Sequence, residues 1–79
     1  MSKREKLLKK FLENPKSCSY FDIEKILISL GFTCAGGKGS HIRFKHEKTD
    51  RDISFPVHHN DCKNFYKKEA RKIILRYIL

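Results

Sequence analysis

Residues 40–58, SHIRFKHEKTDRDISFPVH, alternate polar with apolar side chains on either side of a charged break, and their reading decides the fold. Successive side chains of a strand point to opposite faces, so Ile42 and Phe44 fall on one side while His41, Arg43 and Lys45 fall on the other. Beyond the polar EKTDR segment, Ile53, Phe55 and Val57 continue the apolar side, which sends Asp52, Ser54, Pro56 and His58 outward. So short a break predicts an antiparallel pair. A loop over residues 48–51 would set Ile42 against Val57, Phe44 against Phe55 and His41 against His58. A register slip of two residues would keep both faces and change every partner.

Upstream, GFTCAG (residues 31–36) reads as a further strand, set off by Gly36-Gly37. Ahead of it, Ser19 caps a helix whose Ile23, Ile26, Leu27 and Leu30 recur at helical spacing until Gly31 ends it. An earlier helix is expected over residues 3–13, with Ser2 and Glu5 as a capping box, Leu7, Leu8, Phe11 and Leu12 along one face, and Asn14-Pro15 as the stop. After Asn60, the spacing of Tyr66, Ala70, Ile73, Ile74 and Tyr77 predicts a closing helix, with Asn64 or Asp61 as its cap. The order is α-α-β-β-β-α: an α+β fold, one three-stranded antiparallel sheet packed on helices. Phe32, Phe44, Phe55, Ile73 and Ile74 are expected in the core, and Cys34 and Cys62 at its margin.

A chain of 79 residues makes one small domain, so any site lies close to the surface. Its 18 Lys plus Arg against 9 Asp plus Glu leave a formal charge of +9, which favours a polyanionic partner, nucleic acid first. An acidic protein partner stays open. No apolar run of membrane-spanning length occurs, so no membrane association is expected. Cys18, Cys34 and Cys62, odd in number and without a secretory leader pattern ahead of them, predict a reduced, cytoplasmic chain. His58, His59 and Cys62 fall short of a tetrahedral zinc set, so neither metal nor cofactor is expected.

The outward side carries His41, Arg43, Lys45 and His58, which join imidazoles that titrate near neutrality to cations suited to phosphates. Metal-free RNA cleavage needs a base for the ribose 2′-hydroxyl, an acid for the leaving 5′-oxygen and cations for the phosphorane. Alternation alone favours ordinary polar residues on a wet strand, since outward positions are commonly no more than that. The glycines before the strand serve a turn, or allow a phosphate to approach backbone N–H groups, with Lys38 beside them. Lys67, Lys68, Arg71 and Lys72 on the last helix read either as phosphate contacts or as a solvated face.

GFTCAGGKGSHIRFKH (residues 31–46), followed by ISFPVHHN (residues 53–60) and a basic closing helix, resembles the HicA toxin family, small ribonucleases of bacterial toxin–antitoxin modules. The resemblance runs from about Tyr20 onward. It implies a double-stranded-RNA-binding-like α-β-β-β-α fold over residues 19–79, with residues 1–18 as an N-terminal extension. It implies messenger RNA as substrate, His41 of the GSH motif as catalytic residue, His58 of PVH as the second histidine, and a HicB-type antitoxin as partner. Gly39 and Ser40 match the motif, and with Lys38, Arg43 and Lys45 they are the expected RNA contacts. The family often has glycine after PVH where this chain has His59, so the turn there is expected to be built differently. The alternatives are a non-catalytic RNA-binding module of the same fold and a domain that docks an acidic protein.

Overall fold

The structure, a computed structural model, describes residues 3–36, 39 and 41–79. Helix α1 (Lys3–Glu13) runs to Asn14, where Pro15 opens a single 3-10 turn, Pro15–Ser17. The expected cap Ser2 lies outside the described residues. Helix α2 (Tyr20–Ser29) starts at Ser19, whose hydroxyl accepts the Asp22 N–H while Asp22 accepts the Ser19 N–H. This reciprocal pair satisfies two of the donors that a helix start leaves orphaned. Strands β1 (Thr33–Gly36), β2 (His41–His46) and β3 (Thr49–Pro56) form one antiparallel sheet in the order β1-β2-β3. Helix α3 (Asn64–Ile73) follows and passes into a π-helical turn, Ile74–Ile78.

The alternation of β2 and β3 fixes which side of the sheet is covered. Phe44, Ile53 and Phe55 are buried and Ile42 half-buried, whereas His41, Arg43, Lys45 and Ser54 are exposed. The helices lie on the apolar side, and Phe11, Tyr20, Ile23, Ile26, Leu27 and Ile74 complete the core there. Tyr20 meets Phe55 edge to face at 5.6 Å, and Phe44 meets Phe55 at 6.1 Å.

The hairpin departs from its expected register by two residues. His46 pairs with Thr49 across a two-residue turn, Glu47-Lys48, and a bulge between Phe44 and His46 then sets Ile42 opposite Phe55, Phe44 opposite Ile53, and His41 opposite Pro56 rather than His58. The reason is that residues 49–51 enter β3 instead of the loop. The Thr49 hydroxyl accepts the Arg51 N–H at 3.0 Å, and His46 Nδ1 accepts the Lys48 N–H at 3.0 Å, which together close the tighter turn. A slip of two preserves the faces, so only the pairings change.

His46 shares the covered side of β2. With Nδ1 accepting, Nε2 is the donor, and it reaches the Leu30 carbonyl at the end of α2 at 3.0 Å while the ring packs edge-on against Phe32 at 4.8 Å. Gly31 makes this approach possible twice over: its φ is +97°, and a Cβ there would lie 3.1 Å from His46 Nε2. Cys34 is exposed rather than half-buried, because β1 is an edge strand and its opposite partner Phe44 is covered by the helices instead.

Candidate active site on the open face of the sheet

His41 is the first residue of β2 and is exposed on the side of the sheet away from the helices. Gly39, two residues before it, has a φ of +62°, a conformation that Cβ-bearing residues adopt at a cost, and nothing stands within 4 Å of where a Cβ would project. The turn therefore needs glycine for its backbone angle, not for lack of room. Lys38 and Ser40, expected RNA contacts in this turn, lie outside the described residues.

Two residues further along β2, Arg43 is exposed, lies opposite Ser54 and forms an ion pair with Asp52 of β3. Lys45 is exposed opposite Thr33 of β1. The described part of the open face thus carries His41, Arg43 and Lys45 in a row along β2, and of these cations Arg43 is already paired to an acid. An exposed pair of this kind holds side chains in place more than it stabilises the fold.

His58 lies past the end of β3. The partner of His41 is Pro56, which lacks an N–H and is tolerated because β3 is an edge strand. The His58 N–H donates to the Asp61 carbonyl at 2.8 Å and the Asp61 N–H returns to His58 at 3.0 Å, enclosing His59 and Asn60 with φ of 53° and 65°. This is a tight turn in which both central residues adopt the left-handed conformation, and His59 occupies it without being glycine. His58 and His59 are both exposed.

Asp61 and Lys67 hold this turn, and the sequence reading gave neither that role. The Asp61 carboxylate accepts from the Cys62 N–H at 2.8 Å, from the Tyr20 N–H at 3.1 Å and from Lys67 Nζ at 3.0 Å. Partial burial alone would raise its pKa, but these donors outweigh burial and hold the carboxyl below its ordinary range. Lys67 is 3% exposed, and its ammonium also donates to the Cys18 carbonyl at 2.7 Å. One buried cation therefore joins α3, the start of α2 and the loop that follows His58. Asp61 is drawn into this contact instead of capping α3, whose N-cap is Lys63. Arg71 also turns inward, its Nε donating to the Leu12 carbonyl at 2.7 Å. Of the four cations considered on the last helix, only Lys68 and Lys72 are exposed. The signal for Lys67 was present: it falls three residues before Ala70 and seven before Ile74, on the inward stripe.

The thiols near this region are poor nucleophiles. Burial pushes Cys62 up to about 11 and also raises Cys18. Burial likewise drives the Tyr20 hydroxyl above its ordinary range, with the Glu24 carboxylate adding to the effect. Among the described residues, no group of three or more His, Cys, Asp or Glu side chains is arranged to hold a metal ion.

Fold and site together define a small, basic α+β domain of α-β-β-β-α order, preceded by an extra helix and bearing a histidine and two cations on its open sheet face. The family model for the HicA toxins of bacterial toxin–antitoxin systems matches residues 21–79, and the chain belongs to that family. The match starts at the second residue of α2, so α1 and the 3-10 turn lie outside it. No curated protein and no solved structure matches the chain. Among the described residues, no helix is long and apolar enough to cross a membrane.

Proposed function

We propose that this toxin is a metal-independent endoribonuclease that cleaves messenger RNA, with His41 as the proton-transfer residue and Arg43 and Lys45 as phosphate contacts. The observation that carries this reading is the exposure of His41 at the head of β2, on the same face as Arg43 and Lys45, in a chain of a toxin family. An imidazole in that place takes the proton from a ribose 2′-hydroxyl, and the neighbouring cations stabilise the charge that grows on the phosphorane. His58 is the candidate for the second proton transfer. Lys38, Gly39 and Ser40 complete the RNA contacts in this reading. No cofactor enters it.

The reading extends to the whole chain. Residues 19–79 form the RNA-acting core, residues 1–18 an extension of the same domain, and the protein works in the cytoplasm. A HicB-type antitoxin holds it inactive by covering the open sheet face, where a +9 chain offers an acidic partner strong attraction.

Positioned acid–base groups contribute about 10²–10⁴-fold, so His41→Ala should lower RNA cleavage at least about a hundredfold while RNA binding is retained. Undiminished cleavage by that variant rules the mechanism out. A second reading, binding of RNA without cleavage, is favoured by one observation: the register sets Pro56, not His58, opposite His41. It predicts that no RNA fragments form with the parent chain, and that His41→Ala weakens binding no more than Arg43→Ala does.

A further inference from the structure

Helix α1 has an outer face that the fold does not use. Leu7, Leu8, Phe11 and Leu12 turn towards the core, and on the opposite side Lys6, Lys9 and Lys10 line a trough with Glu13, Asn14 and Ser17. The trough forms where the helix ends and the chain bends at Asn14, with the Ser17 hydroxyl donating to the Asn14 carbonyl at 2.7 Å. Among the described residues, Lys6 and Lys10 take part in no ion pair, and Lys9 has only Glu13 at 4.0 Å, both side chains being 68% exposed. Lys6 stands three and four residues from Lys9 and Lys10, spacings at which like charges on one helix repel.

We infer that the Lys6–Lys9–Lys10 trough is a second binding site for the phosphate backbone of single-stranded RNA, separate from the open sheet face. The inference rests on the reading of this toxin as one that acts on RNA. Three observations carry it. The three lysines sit on adjacent turns of one helix and line the same surface depression, which suits a linear polyanion. Among the described residues, no aromatic or aliphatic one lines the trough, whereas protein-docking surfaces centre on such anchors and are depleted in lysine, so RNA fits better than an acidic protein. The site also belongs to the segment outside the family match, so it adds to the open sheet face instead of repeating it. Lys9 exchanges its weak contact with Glu13 for phosphate when RNA binds.

The test uses the full chain carrying His41→Ala, so that the RNA stays intact, and an unstructured fluorescent RNA oligonucleotide titrated at about 50, 100 and 200 mM salt. Neutralising Lys6, Lys9 and Lys10 together to Gln should flatten the plot of log affinity against log salt by about 0.7 for each lysine that meets a phosphate, about 2 for all three. The triple change to Arg should keep the parent slope, which separates lost charge from a damaged helix. A Gln variant with the parent slope overturns the second site while leaving the open-face reading intact. Absence of RNA binding by the parent at the lowest salt overturns both.

Discussion

The Asp61–Lys67 contact can be tested through the cost of orphaning a buried ammonium. Asp61→Asn removes the carboxylate 3.0 Å from Lys67 Nζ and leaves that group, 3% exposed, with only the Cys18 carbonyl as a close acceptor of full strength. Removing one partner of a fully buried pair costs about 3–5 kcal/mol. The Asp61 side chain is 50% exposed, and the Asn carbonyl still accepts one hydrogen bond, which together bring the expected loss to about 1.5–3 kcal/mol. Urea unfolding at neutral pH measures it. If the cost arises from the stranded charge, then adding Lys67→Met to Asp61→Asn should recover part of the loss, because an apolar side chain of similar volume has no charge to desolvate. The pH dependence follows from the depressed folded-state pKa of Asp61, set against an unfolded value of about 3.9. Its stabilisation is complete above the unfolded value and disappears as pH falls through the folded one, so the stability curves of parent and Asn variant should converge in acid. A loss below about 0.5 kcal/mol at neutral pH, or a double variant weaker than Asp61→Asn alone, would refute the reasoning.

Other outcomes follow from contacts elsewhere. His46→Ala removes the donor to Leu30, the acceptor for Lys48 and the edge contact with Phe32, and should cost about 1–2 kcal/mol in the same unfolding assay. His59→Gly relieves a Cβ-bearing residue at a φ of 53°, and after the added flexibility of the unfolded chain it should gain about 0.5–1 kcal/mol, read as a rise in Tm. Iodoacetamide at neutral pH should label Cys34 in the native chain while Cys18 and Cys62 stay unreacted, as followed by peptide mass spectrometry; rapid labelling of Cys62 would contradict its burial and raised pKa.

The two faces of the sheet were legible in residues 40–58 because a period of two survives any slip of two residues. The partners were not legible, since nothing in EKTD distinguishes a four-residue loop from a two-residue turn until the Thr49 hydroxyl and the His46 ring take up backbone donors. The start of α2 was readable at Ser19, a small hydroxyl residue before a periodic apolar run. Asp61 showed the opposite case: a good cap by type, it is committed to a lysine and a distant N–H that only the folded chain brings near. Lys67 and Arg71 looked like surface cations by composition and are internal by position. Of the candidate site, His41, Arg43 and Lys45 were placed on one face by parity alone, while the Arg43–Asp52 pair depends on register and emerged only with it.

The two cations that α3 turns inward span 49 and 59 residues of chain to reach Cys18 and Leu12. Closing loops of that length costs more chain entropy than closing the central hairpin, which spans a handful of residues, so the hairpin is expected to form ahead of the joint that α3 makes with Cys18 and Leu12. Contacts made after the rate-limiting step govern how fast a protein comes apart, not how fast it assembles. Arg71→Ala should accordingly speed unfolding and leave the refolding rate almost unchanged. The joint of α3 with Cys18 and Leu12, seen this way, is a latch: it adds little to the speed with which the toxin matures and much to how long the mature form persists.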